Sequence, residues 1–140
     1  KHLEIYESYL KKEGLSYSKL TGEDSQNDRK NSVEKFSEDP ECKVFLMSIK
    51  AGGVGLNLAT ASYVLILDPW WNPFVERQAV ARAHRMGQQN KVTVIRFIAK
   101  DSIEEKILKL QVEKLHMAEQ FVDVGDIPTL DKTDLTYLLN

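Results

Sequence analysis

Apolar positions along the chain change period several times, and each change marks an element. Leu3, Tyr6 and Leu10 recur at helical spacing, and Gly14 ends that helix. Ser16-Tyr17-Ser18-Lys19-Leu20 reads as a short strand, with Thr21-Gly22 turning the chain. Asp24 or Ser25 can cap a second helix with Val33 and Phe36 on its buried side, and Asp39-Pro40 stops it. Val44-Phe45-Leu46-Met47 is a continuous apolar run suited to a buried parallel strand, and 63–67 is a second one, closed by Asp68-Pro69. Pro73 stands where a helix can begin, and the pattern carries that helix to Met86-Gly87. Residues 92–98 form another strand. Asp101 or Ser102 caps a long helix over 102–121 through Ile103, Ile107, Leu110, Leu115 and Ala118. After Gly125 the tail is acidic, with a short apolar element at Leu135, Tyr137, Leu138 and Leu139.

Strands alternating with helices predict an α/β fold, a central parallel sheet with helices on both faces. Ligands of such sheets gather beyond the carboxyl ends of the strands. The segments 48–58, 68–73 and 99–102 occupy such places, and the basic stretch 76–86 leads out of the second.

With 140 residues and 42% hydrophobic positions the chain can bury a core as a single domain without staples. The one cysteine, Cys42, excludes an internal disulfide framework and fits a reducing compartment. Three scattered histidines and that cysteine offer no metal-site spacing, so no metal is expected on this chain. No apolar run approaches a membrane span, and the opening Lys1-His2-Leu3-Glu4 is not a signal peptide.

The net charge of −2 argues against general binding to polyanions, but its distribution does not. Residues 1–42 hold 7 basic and 10 acidic groups, residues 43–100 hold 8 and 2, and residues 101–140 hold 4 and 9. The middle therefore carries +6, and 77–100 contains no acid. This predicts a local anion site for phosphate or a nucleic-acid backbone, against the plainer reading of a solvated basic face.

Three blocks carry candidate chemistry. In Ser48-Ile49-Lys50-Ala51-Gly52-Gly53-Val54-Gly55-Leu56-Asn57-Leu58, three glycines in four positions let backbone N–H groups approach an anion, beside a hydroxyl and a cation. A tight strand–loop crossing would use the same glycines. The string is not a Walker A loop, and no acidic Walker B pair follows a strand. Asp68-Pro69-Trp70-Trp71-Asn72-Pro73 holds both tryptophans of the chain between two prolines. One tryptophan is expected to plug the core and the other to lie exposed, suited to a nucleic-acid contact. Gln78, Arg82 and Arg85 are spaced i, i+4, i+7, so a continuous helix would put them on one face, poor as core and good for gripping phosphate oxygens.

Taken in order, Ser-x-Lys-Ala-Gly-Gly-x-Gly-Leu-Asn-Leu, Asp-Pro-Trp-Trp-Asn-Pro and Gln-Ala-x-x-Arg-x-His-Arg-x-Gly-Gln resemble the C-terminal RecA-like lobe of Swi/Snf-family DNA-dependent ATPases, members of helicase-like superfamily 2. The resemblance covers residues 3–120. It implies a three-layer RecA-like lobe over 1–121, with a brace helix at 102–121 and an acidic extension over 122–140. It implies that 48–58 is helicase motif V, with Ser48, Lys50, Gly52 and Gly53 facing the DNA backbone and Gly55 and Asn57 lying towards the nucleotide. Trp70 and Trp71 resemble the aromatic block that couples DNA contact to the ATP cleft. Gln78, Arg82 and Arg85 match motif VI, whose arginines act as fingers on the γ-phosphate. Tyr17, Leu20 and Gly22 resemble the element that starts the lobe's conserved region. The family often has Asp or Gly before the first motif VI arginine, where this chain has Ala81.

The implied partners are double-stranded DNA and the N-terminal RecA-like lobe, which would hold most of ATP and Mg2+. The usual Phe-Ser-Gln strand that opens the lobe is not seen, so the chain reads as a truncated piece, monomeric and inactive alone. The alternatives are a non-catalytic nucleic-acid or protein-binding module and an RNA helicase C-terminal lobe. Arg85-Met86-Gly87-Gln88 and the double tryptophan favour the DNA translocase over the latter. The compact spacing from Asn57 to Gln78 favours a bacterial member acting at the nucleoid, with the nucleus as the location if the source is eukaryotic.

Overall fold

The computed structural model describes residues 2–53, 55–84 and 91–120. It is an α/β structure with four helices and four strands among those residues: α1 (His2–Lys12), β1 (Ser16–Leu20), α2 (Gln26–Glu38), β2 (Cys42–Met47), a 3-10 turn (Ile49–Gly53), β3 (Tyr63–Ile66), α3 (Pro73–Val80), β4 (Thr93–Arg96) and α4 (Ile103–Gln120). The strands pair in parallel, β1 with β2 and β3 with β4. Contacts divide the chain into two units. One runs to Ser62 and includes 81–92, and the other comprises 63–80 and the residues after 92.

In the first unit, local chemistry sets the element ends. Gly14 takes φ 67°, and Leu15 N–H bonds back to Leu10 O at 2.9 Å while Gly14 N–H reaches Lys11 O at 3.2 Å. This closes α1 with the paired bonds of a glycine C-cap. Of the two candidate caps for α2, Ser25 is the one used, its Oγ accepting from Asp28 N–H at 3.2 Å. The outer edge of β1 is blunted by α2. Lys35 Nζ donates to Tyr17 O and Ser32 Oγ to Lys19 O, both at 2.9 Å, occupying carbonyls that would otherwise invite another strand. The core is Leu20, Ala51 and Leu56, with Val33, Phe45 and Met47 packed against it. The Phe36 and Phe45 rings meet at 5.3 Å. α1 is tied to β1 by Glu7, which accepts from the Tyr17 hydroxyl at 2.9 Å and from Lys19 Nζ.

In the second unit, Asn72 Oδ1 accepts from Phe74 N–H at 3.0 Å, so Asn72 caps α3 and Pro73 opens it. Ser102, not Asp101, caps α4: its Oγ accepts from Glu104 N–H at 3.1 Å, and Asp101 sits at φ 56°. Leu110, Gln111 and Lys114 are buried along one side of α4.

Two expectations are corrected. The helix from Pro73 stops at Val80 and does not reach Met86-Gly87, since residues 81–83 continue as a turn. Arg82 O there accepts from Leu58 N–H at 3.0 Å. Gln78 and Arg82 therefore do not lie on one continuous helix face. The strands of this unit differ in extent and burial: β4 is shorter than 92–98, and β3, expected as a buried strand over 63–67, has no buried residue, with Tyr63 and Leu65 exposed. The proposed tail element at 135–139 and the 122–140 extension lie outside the described residues.

Candidate functional site

The glycine-rich segment 48–58 begins where β2 ends. Ser48 N–H extends the parallel ladder by donating to Leu20 O at 3.1 Å, and Ala51 N–H turns back to Ser48 O at 2.9 Å. This winds Ile49–Gly53 into a 3-10 turn, which fits a sequence whose small residues permit the tighter helix. Three side chains hold the segment: Ala51 is fully buried, and Leu56 and Leu58 are nearly so. Ser48 is half-buried, while Lys50, Gly55 and Asn57 are exposed. A Cβ added to Gly55 would meet nothing within 4 Å, and its φ is not in the left-handed region. Asn57 Oδ1 accepts from Ala59 N–H at 3.3 Å, closing a local turn. Gly52 and Gly53 lie in the 3-10 turn itself.

The arginine block reaches the same unit through the main chain. Leu58 N–H bonds to Arg82 O, which joins the end of the glycine-rich segment to the turn that carries Arg82. Arg82 is half-buried, and its neighbour Ala83 is 3% exposed and anchors the turn. Gln78 is exposed on α3 in the other unit. Arg85 lies outside the described residues. The structure thus brings Ser48, Lys50, Gly52, Gly53, Gly55, Asn57 and Arg82 into one unit, and Trp70, Trp71 and Gln78 into the other.

The double-tryptophan loop differs from the expected anchor-and-probe pair. Both rings are half-buried. The anchor is Glu76, fully buried. Its Oε1 accepts from Trp70 N–H at 2.7 Å and from Gln111 Nε2 at 2.9 Å, and its Oε2 accepts from Arg96 Nε at 3.1 Å. Gln111 Nε2 also donates to Trp70 O. Lys114 Nζ stands 5.7 Å over the Trp71 ring, within cation–π range. Glu76, Arg96, Gln111 and Lys114 were not singled out by pattern. The available signal was polar Gln111 and Lys114 on the stripe that Leu110 marks as buried.

Among the described residues no group of three His, Cys, Asp or Glu side chains is placed to hold a metal ion. No described helix is long and apolar enough to cross a membrane.

Comparison with known proteins bears on the family of the chain. The family described as the helicase conserved C-terminal domain matches residues 1–87. An uncharacterized ATP-dependent helicase of Schizosaccharomyces pombe is 40% identical over 139 residues, covering 97% of this chain and 13% of that protein. The helicase-like transcription factor CHR27 of Arabidopsis thaliana is 47% identical over 115 residues, 82% of this chain and 11% of that protein. The DNA repair protein rad8 of Schizosaccharomyces pombe is 46% identical over 112 residues, 80% of this chain and 10% of that protein. The chain therefore spans about a tenth of the length of the curated relatives it matches. Among solved structures, the C-terminal part of the Fun30 ATPase domain superposes with a TM-score of 0.76 at 44% identity, covering 78% of this chain and 35% of that one. These named relatives are eukaryotic, so the bacterial nucleoid expected from motif spacing gains no support from them. Motifs, fold and comparisons converge: the chain belongs to the helicase conserved C-terminal domain family, as a C-terminal RecA-like lobe of the Swi/Snf type.

Proposed function

We propose that this chain, as one lobe over 1–121 with an acidic extension over 122–140, is the C-terminal half of an ATP-driven motor that moves along double-stranded DNA in the nucleus. The observation that carries this reading is the Leu58–Arg82 main-chain bond, which makes the glycine-rich segment and the arginine turn one mechanical piece. A shift of Arg82 on nucleotide binding is then passed to 48–58, and from there to a DNA strand.

Phosphoryl transfer needs charge neutralisation and positioning more than covalent chemistry. The N-terminal lobe would hold ATP and Mg2+. Arg82 and Arg85 would meet the γ-phosphate when the two lobes close, so their effect falls on the transition state. Gln78, Gly55 and Asn57 would border the nucleotide. Ser48, Lys50, Gly52 and Gly53 would contact the phosphate backbone of DNA, with Trp70 and Trp71 coupling that contact to the cleft. The +6 charge of 43–100 suits such sequence-blind contacts, which weaken steeply with salt. Alone, this chain would hydrolyse no ATP.

The test is made in the complete two-lobed protein. Arg82→Lys and Arg85→Lys should each slow single-turnover hydrolysis by about 10³-fold or more while ATP affinity stays near normal. Lysine keeps the charge but loses the planar fork. Gln78→Ala should be milder. Near-normal hydrolysis by a lysine variant removes that arginine from the mechanism. A loss of affinity in proportion to rate assigns it to ground-state binding instead.

A further inference from the structure

We propose that Glu76 is a positioning residue: its buried carboxylate fixes the double-tryptophan loop to helix α4, so that the seating of α4 sets the loop's conformation. The Trp70 peptide is held at both ends. Its N–H donates to Glu76 Oε1 at 2.7 Å, and its C=O accepts from Gln111 Nε2, which also donates to that same Oε1 at 2.9 Å. Glu76, Gln111 and the Trp70 main chain form a closed triangle spanning 41 residues of sequence. Arg96 at the end of β4 occupies the remaining oxygen at 3.1 Å. One turn along α4 from Gln111, Lys114 places its ammonium over Trp71 at 5.7 Å. Each tryptophan is thereby tied to the same helix, one through its main chain and the other through its ring.

A buried, fully partnered carboxylate contributes little net stability over an apolar replacement of similar shape. What such a network supplies is direction, since hydrogen bonds fail when the angle or the distance drifts. An axial slip of α4 by one residue would carry Gln111 about 1.5 Å along the helix and rotate it by more than a quarter turn, breaking both of its bonds. The loop would then lose the peptide that orients Trp70 and the cation that faces Trp71. The functional consequence rests on the proposal above that this loop couples DNA contact to hydrolysis; the positioning itself does not.

The experiment uses the complete protein with Gln111→Leu, Glu76→Gln and, as a control on exposed α4 surface, Glu113→Gln. Hydrogen exchange is followed by mass spectrometry in the peptide containing 68–74, beside DNA-free and DNA-stimulated ATPase rates. For Gln111→Leu and Glu76→Gln, exchange in this peptide should rise about tenfold, as expected for the loss of a hydrogen-bonded restraint. Stimulation by DNA should fall about fivefold, with the DNA-free rate within about twofold of the parent. Glu113→Gln should change neither. Unchanged exchange in a folded Gln111→Leu protein overturns the positioning role. So does unchanged stimulation, if Trp71→Ala abolishes it. Faster exchange together with normal stimulation in Trp71→Ala upholds the positioning and refutes the coupling role of the loop. If Glu76→Gln does not fold, Gln111→Leu alone decides, because leucine fills a similar volume at that site.

Discussion

Leu20→Ala tests how the core supports the functional segment. Leu20 is fully buried at the carboxyl end of β1. It packs with Ala51 of the 3-10 turn, Leu56, Val33 of α2, and Phe45 and Met47 of β2. Truncation to alanine loses the transfer free energy of the removed carbons and leaves a cavity. Those neighbours belong to four separate segments, each pinned by its own hydrogen bonds, so none can move into the space alone. The cost should fall in the middle of the range for buried leucines, about 3 kcal/mol. For a domain of this size that lowers the melting temperature by about 10 °C. The assay is urea and thermal unfolding of parent and variant, with Leu15→Ala as the comparison, since Leu15 is 42% exposed and should cost under about 1 kcal/mol. An unchanged urea slope would show that the loss lies in the folded state. Because Ala51 and Leu56 lie within the segment 48–58, its amide exchange over 48–56 should also quicken before global unfolding. A Leu20→Ala cost below about 1 kcal/mol, or no greater than that of Leu15→Ala, would refute the reasoning.

Three further outcomes are expected. The Lys19 ammonium and the Tyr17 hydroxyl beside Glu7 hold its carboxyl below the usual carboxylate range. The stability this lends is therefore present above the unfolded value of about 4.3 and is lost as pH falls through the lower folded value. The stability difference between parent and Glu7→Gln should be largest near neutrality and vanish in acid, which denaturant titration from pH 7 to 2 would reveal. Lys19, whose ammonium is raised by the same bond, extends that contribution to alkaline pH until it is lost through the raised value. Ser25→Ala should cost about 1 kcal/mol by removing the acceptor for Asp28 N–H, measured by equilibrium unfolding, and Ser25→Asp should restore most of it. Burial pushes the Cys42 thiol up from its ordinary value, and the residue is 4% exposed. A disulfide reagent should therefore modify native Cys42 about 100-fold more slowly than denatured chain. Rapid modification of the native protein would contradict that burial.

What the sequence determined by itself is what a few neighbouring residues decide together. Gly14 ends α1 because only a residue tolerant of φ 67° can turn the chain there. The starts of α2 and α4 were narrowed to Asp24 or Ser25 and Asp101 or Ser102, because a short polar side chain reaches its own helix's N–H groups, and the fold uses the serines. Pro73 opens α3 because its missing N–H would be unsatisfied there anyway. The motif blocks were legible for the same reason, since glycine, tryptophan and arginine at set spacing carry their chemistry in their order. Three matters needed the folded chain. Helical periodicity ran on past Val80, but the Arg82 carbonyl went to Leu58 N–H, a partner 24 residues earlier in sequence. The apolar run at 63–67 promised a buried strand, yet Tyr63 and Leu65 of β3 are exposed, because burial depends on what packs over a strand and no strand encodes that in itself. The anchor of the tryptophan loop looked like an aromatic plug and is instead Glu76, whose partner Gln111 lies 35 residues away. A buried carboxylate is stable only where donors from remote segments converge on it, and that convergence is a property of the packing and of no local pattern.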